Sequence, residues 1–202
     1  MKQKVTIFLI TLFIILNINC NNEYKNKLTN EILMKKYFSQ KDIKNLNKIL
    51  LFFDEVVKHN CKDQNIINCY NTYFKGLKNN ANSGVLILKI DFDEQNKLLT
   101  SIDKTTFNKI WYYSYSIKAE NTKISKAKII LLKPNSPYMN FLKEESKKKS
   151  YIKEYYESVN EAGDITPGLI NGIILYYNKY NLKDKKDRLI LAIHYLTINS
   201  RN

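Results

Sequence analysis

With 202 residues, 44% of them hydrophobic and 12% aromatic, the chain can bury the core of one ordinary folded domain, which excludes a disordered tail. Five glycines and three prolines are too few for the turns of a many-stranded sandwich. The formal charge of +14 suits anionic partners in general, but the lysines are scattered apart from 147–149 and 183–188, and no DNA- or RNA-binding motif is present, so nucleic-acid binding is set aside.

Lys2 and Lys4 precede an apolar run from Val5 to Leu16, and Asn17-Ile18-Asn19-Cys20 follows. That is the order of a secretory signal. The run of about 12 residues falls short of the roughly 20 that a helix needs to cross a bilayer. Residues 1–19 are therefore expected to leave as a signal peptide. Cys20 looks like the lipidation cysteine of bacterial lipoproteins, although Asn17 and Asn19 depart from the small residues usual before it. Plain secretion and an uncleaved anchor are the other readings. Loss of Lys2 and Lys4 with the leader takes the charge from +14 to +12. Residues 20–30 are expected to be the lipidated cysteine and a polar tether, and 31–202 a single globular domain in the bacterial envelope, facing the periplasm or the cell surface.

Ser39-Gln40-Lys41-Asp42 has the form of a capping box. Ile43, Leu46, Leu50, Phe53 and Val57 then recur at three- and four-residue steps, which sets a helix over about 40–58. Cys61 and Cys69 remain as an even pair in an oxidising compartment. On one straight helix they would lie about 12 Å apart, too far to bridge. A turn at Lys62-Asp63-Gln64 brings them together, so a disulfide and two buried thiols both stand. His59 is the only histidine nearby, too little for a four-ligand zinc site, and no metal or cofactor is expected.

Ile66, Ile67, Tyr70, Phe74 and Leu77 mark a second helix over about 63–78, followed by a loop over 79–84. Val85 to Phe92 is β-branched and apolar enough for a short buried strand. Residues 93–101 read as helical, and Asp103 caps a further helix carrying Phe107, Ile110 and Trp111. Tyr113, Tyr115 and Ile117 alternate with Tyr112, Ser114 and Ser116, the pattern of a strand. Ile124 to Leu132 is its partner, ended by Pro134. Ser136-Pro137 and Thr166-Pro167 each combine an N-cap with a first-turn proline, and Gly163 suits a left-handed helix stop. Asp184 or Asp187 opens a last helix with Leu189, Ile190, Ile193 and Leu196 facing inward. The fold class is mainly α, six to eight helices with a two- or three-stranded antiparallel sheet in the middle.

Three runs are distinctive: RLILAIHYLTIN from Arg188 to Asn199, EAGDITP from Glu161 to Pro167, and SIDKTTFNKIW from Ser101 to Trp111. With the leader, they resemble small lipoproteins of flavobacteria and related Bacteroidota that have no characterised function. The resemblance implies a Gram-negative host and transfers no activity and no site residues.

Candidate chemistry is sparse. There is no G-x-S-x-G elbow, Walker loop, Rossmann glycine cluster or H-E-x-x-H. His194 is a candidate general base, and equally a histidine packed at a helix C-terminus, as is His59. Glu55 sits beside Asp54, but neighbouring helical positions diverge by about 100°, so a glycosidase-like pair needs Glu94, Glu157 or Asp164 as partner. Both acids of Asp54-Glu55 are expected on a solvated helix face. Asp164 and Thr166 present an acid and a hydroxyl near a helix N-terminus, where anions dock, and also serve simply as a stop-and-restart signal. The favoured expectation is a non-enzymatic interaction protein, held to a membrane through lipid on Cys20, with an envelope protein or a toxin as partner. A lysozyme-like envelope hydrolase using carboxylates is the alternative.

Overall fold

The computed structural model describes residues 28, 32–59, 61–82, 86–120 and 123–201. The expected signal peptide, the lipidation at Cys20 and most of the tether lie outside them. Leu28, inside the expected tether, is fully buried and belongs to the core instead.

Nine α-helices and one hairpin follow in order among the described residues: α1 (Ile32–Tyr37), α2 (Gln40–His59), α3 (Ile66–Asn82), α4 (Phe92–Ser101), α5 (Lys104–Phe107), β1 (Trp111–Glu120), β2 (Lys123–Leu132), α6 (Pro137–Ser146), α7 (Ser150–Ala162), α8 (Pro167–Tyr176) and α9 (Lys185–Asn199). The molecule is thus mainly helical with a small antiparallel sheet. Helix α9 is the axis of the fold. From Asp187 to Asn199 every residue is buried, and the helix packs against α2 and β2. Phe53 of α2 and Phe74 of α3 close on Tyr195, with Phe53 and Tyr195 stacked at 5.7 Å.

Local chemistry explains the boundaries. The Ser39 hydroxyl and amide both donate to Asp42, and the Asp42 amide returns a bond to Ser39 Oγ at 3.2 Å, which closes the capping box. Burial pushes the Asp42 carboxyl up, but hydrogen bonds from Lys109, Ser39 and Thr106 outweigh it and hold the group down at about 2. Ser136, Thr166 and Asp184 each accept a bond from a first-turn amide, as N-caps do. Gly163 stops α7 at φ +71°, a conformation that costs glycine nothing. Cys61 and Cys69 are joined by a disulfide with Cα atoms 5.3 Å apart, across the turn between α2 and α3.

Three expectations are corrected. Residues 86–91 form no strand: Lys89 adopts φ +55°, which breaks the extended run, and Phe92 opens α4. Side chains take up its carbonyls, Tyr73 Oη donating to Leu88 O and Asn199 Nδ2 to Ile90 O, so no ladder is needed there. The helix capped by Asp103 ends at Phe107, and Trp111 begins β1, because Ile110 O accepts from Lys133 N–H and starts the hairpin ladder. Helix α3 runs on to Asn82, four residues past its expected end.

Candidate functional site

The hairpin is the part of the molecule that packing does not explain. Its register runs from Trp111↔Leu132 to Glu120↔Lys123. Trp111 is fully buried, stands 5.7 Å from the Phe107 ring and donates its indole N–H to Thr197 Oγ1 at 2.8 Å. Opposite it, Leu132 and Ile130 are buried too. Further along the same face the core ends. Tyr115 is 63% exposed and Ile117 69%, while Lys126 and Lys128 face them across the ladder. Tyr113 is stacked on Phe107 at 4.7 Å, and the Lys128 ammonium lies 3.6 Å from the centre of its ring. A cation over an aromatic face is worth about 0.5–1 kcal/mol where exposed. The ribbon is therefore rooted in the core at one end and carries a basic-aromatic face beyond it. Alternation in the sequence pointed to the strand; nothing in the alternation said which residues lie past the edge of the core.

The sequence-derived candidates fall elsewhere and do not gather. Glu55 is exposed on α2 and pairs with Lys58 at 3.2 Å. Glu94 pairs with Lys97 at 2.6 Å and Glu157 with Lys153 at 3.7 Å. Asp164 pairs with Arg201 and also accepts the Ile165 amide. Thr166 Oγ1 accepts from the Leu169 amide, so the hydroxyl proposed for an anion caps α8 instead. His59 is the exposed last residue of α2.

His194 is a correction. It is fully buried five residues before the end of α9, edge-on to Tyr155 and Tyr195, and neither ring nitrogen has a hydrogen-bond partner. Burial, with the nearby Arg201 charge, pulls its pKa from 6.5 down to about 3, so the ring is neutral and the helix-dipole reading fails. Because the folded value lies below the unfolded one, the unfolded chain binds more protons between them. Stability is then fully present above pH 6.5 and falls with pH through the window down to about 3. Between pH 6.5 and 4 this one group is expected to cost about 3 kcal/mol. In urea titrations at several pH values, His194→Leu should flatten that slope and add about 1 kcal/mol at pH 7, since it removes an unsatisfied polar ring. An unchanged slope would assign the pH dependence to other groups.

Asp54 is the second correction: it is not on a solvated face. It accepts from Tyr70 Oη at 2.8 Å and meets Arg188 of α9 at 3.4 Å, all three residues being buried. A second buried cluster centres on Asp187, which accepts from Lys149, from Tyr151 Oη and from the Asn181 amide. Both clusters have their polar groups turned inward and bind helices together.

Two of the clefts among the described residues bear on the candidates. One of about 270 Å³ lies between α7 and α8, between the rings of Tyr151, Tyr155, Tyr176 and Tyr180, with the exposed Glu154–Lys179 pair beside it. The other, about 410 Å³, is lined by Val57, Tyr73, Leu77 and Ile87 among others. Neither is lined by Glu55, Glu94, Glu157, Asp164 or His194. Among the described residues no group of three or more His, Cys, Asp or Glu stands ready for a metal, and no helix is long and apolar enough to cross a membrane. Compared with protein-family models, with curated proteins and with solved structures, the chain matches none.

Proposed function

We propose that this chain is a lipoprotein, held to a membrane of a bacterial envelope by lipid on Cys20, which acts as a non-enzymatic interaction protein. Its partner is another protein, either a component of the envelope or a toxin that it neutralises. The observation that carries this reading is the ribbon. Large apolar side chains left in water at Tyr115 and Ile117, on a strand fixed in place by a buried tryptophan, are what a preorganised docking arm requires. Aromatic anchors of this kind carry most of the affinity in protein interfaces. The four carboxylates weighed for hydrolysis sit in local ion pairs on separate elements, which favours the interaction reading over the enzymatic one.

The anchor and the arm are tested separately. Labelling with a palmitate analogue is expected to mark the wild-type chain and not Cys20→Ala, and the variant should leave the membrane fraction. Chemical crosslinking in the envelope followed by mass spectrometry should recover one protein with the wild-type chain, reduced at least tenfold with Tyr115→Ser/Ile117→Ser. Equal recovery from both would remove the arm from the account.

A further inference from the structure

The backbone of the hairpin has a polarity that its side chains do not reveal. Lys133 N–H donates to Ile110 O at 2.8 Å, so the 110↔133 position is a hydrogen-bonded pair of the antiparallel ladder. Hydrogen-bonded and non-hydrogen-bonded pairs alternate. Tyr113↔Ile130, Tyr115↔Lys128 and Ile117↔Lys126 are therefore of the second kind, with N–H and C=O pointing away from the partner strand. An independent contact agrees. Ser200 Oγ accepts from Ile130 N–H at 3.1 Å and lies 3.4 Å from Ile130 O, on the outer side of β2.

The two edges are treated differently. On β2, Ser200 covers the outward groups of Ile130, and the next outward positions are Lys128 and Lys126, the residue type that blunts an edge. On β1 the outward positions are Tyr113, Tyr115 and Ile117, all strong strand formers, and among the described residues no hydrogen bond reaches their outer backbone groups. One edge is defended and the other is open.

We infer that the open edge of β1 receives an extended, acidic segment of the partner protein as a third strand. This rests on the interaction reading and specifies its geometry. Three outward residues offer six backbone hydrogen-bonding groups in register, the requirement for strand addition. Charge selects the occupant. Residues 111–132 hold four lysines against one glutamate, and Lys126 and Lys128 stand on the same face as the exposed Tyr115 and Ile117. A second copy would bring like charges together, whereas an alternating segment turns all its acidic side chains to the face of Lys126 and Lys128 and its aliphatic ones to the opposite face, beside the exposed Tyr112.

The test uses the intact protein and a synthetic eight-residue peptide alternating valine and glutamate, with a valine–lysine peptide as its control. Amide exchange at Tyr115 and Ile117 is expected to slow at least tenfold with the acidic peptide, and the basic one should bind at least tenfold more weakly. Tyr115→Pro deletes an outward N–H without touching the ladder, so it should abolish binding, while Tyr115→Ala weakens it only a few-fold. Unchanged Trp111 fluorescence verifies that the hairpin stays folded. The proposal is overturned by unprotected amides at saturating peptide, by equal binding of the two peptides, or by equal effects of the two substitutions. Protection that grows with protein concentration alone assigns the edge to self-pairing and also overturns it. If these fail while the envelope crosslink still depends on Tyr115 and Ile117, the partner docks on the face of the ribbon, and only the strand-addition geometry is lost.

Discussion

Asp54→Ala is expected to lower the unfolding free energy by about 3–5 kcal/mol, because it strands the Arg188 guanidinium in the interior. Arg188 is 6% exposed, reaches Asp54 at 3.4 Å, and also donates from Nη1 to Leu182 O at 3.2 Å. Alanine removes the countercharge and the acceptor of the Tyr70 hydroxyl in one step. Burial pushes the Asp54 carboxyl up, against the pull of Arg188 and Tyr70, so the folded chain holds that proton more tightly than the unfolded one. Asp54 is then a group whose contribution to stability shrinks as pH rises through the carboxylate range. Asp54→Asn, which keeps the acceptor, should lose less than alanine. The double replacement Asp54→Leu/Arg188→Leu should recover much of the loss, as apolar substitutes for buried ion pairs do. Urea unfolding followed by circular dichroism measures all three. A loss under 1 kcal/mol for Asp54→Ala would mean that water reaches the pair.

Trp111→Ala is expected to cost a similar amount, about 3–5 kcal/mol, from lost aromatic packing and the cavity left behind. It also takes from Thr197 Oγ1 the indole N–H that it accepts, leaving only the bond it donates to Ile193 O. Trp111→Phe keeps most of the ring and should cost about 1 kcal/mol, the worth of a neutral hydrogen bond. Because Trp111 is the only tryptophan, the alanine variant must be followed by circular dichroism rather than fluorescence. The larger consequence is local. With the root of the ribbon gone, the amides of β1 should exchange faster than those of α9, and partner binding should fall further than global stability does. Equal changes in both would show that the ribbon is not independently positioned by Trp111.

Helix ends were readable because they are local. Ser39, Ser136, Thr166 and Asp184 cap helices through side chains that act within three residues, and Gly163 stops one through its own φ. The apolar stripe of α2 was likewise legible, since one face of that helix meets the core. Helix α9 was legible only in part: buried on every side, it has no stripe, and His194 and Arg188 are inside where sequence logic sets such residues at ends and surfaces. Asp54 misled for the same reason, since its partner lies 134 positions away. Segment 85–92 had the composition of a strand, but among the described residues no strand pairs with 86–91, and a positive φ at Lys89 settled the path there. The ribbon was visible as alternation, while its open edge depends on Ser200 covering the other side, a contact across 70 positions.

The most direct measurement inserts a photoreactive amino acid at position 115 of the full chain in its own envelope, with position 55 on α2 as control. The account expects one discrete crosslinked protein from position 115, little or none from position 55, and loss of the product when Cys20→Ala frees the chain from the membrane. A featureless or equal pattern from the two positions, with Cys20→Ala making no difference, would contradict both the arm and the anchor.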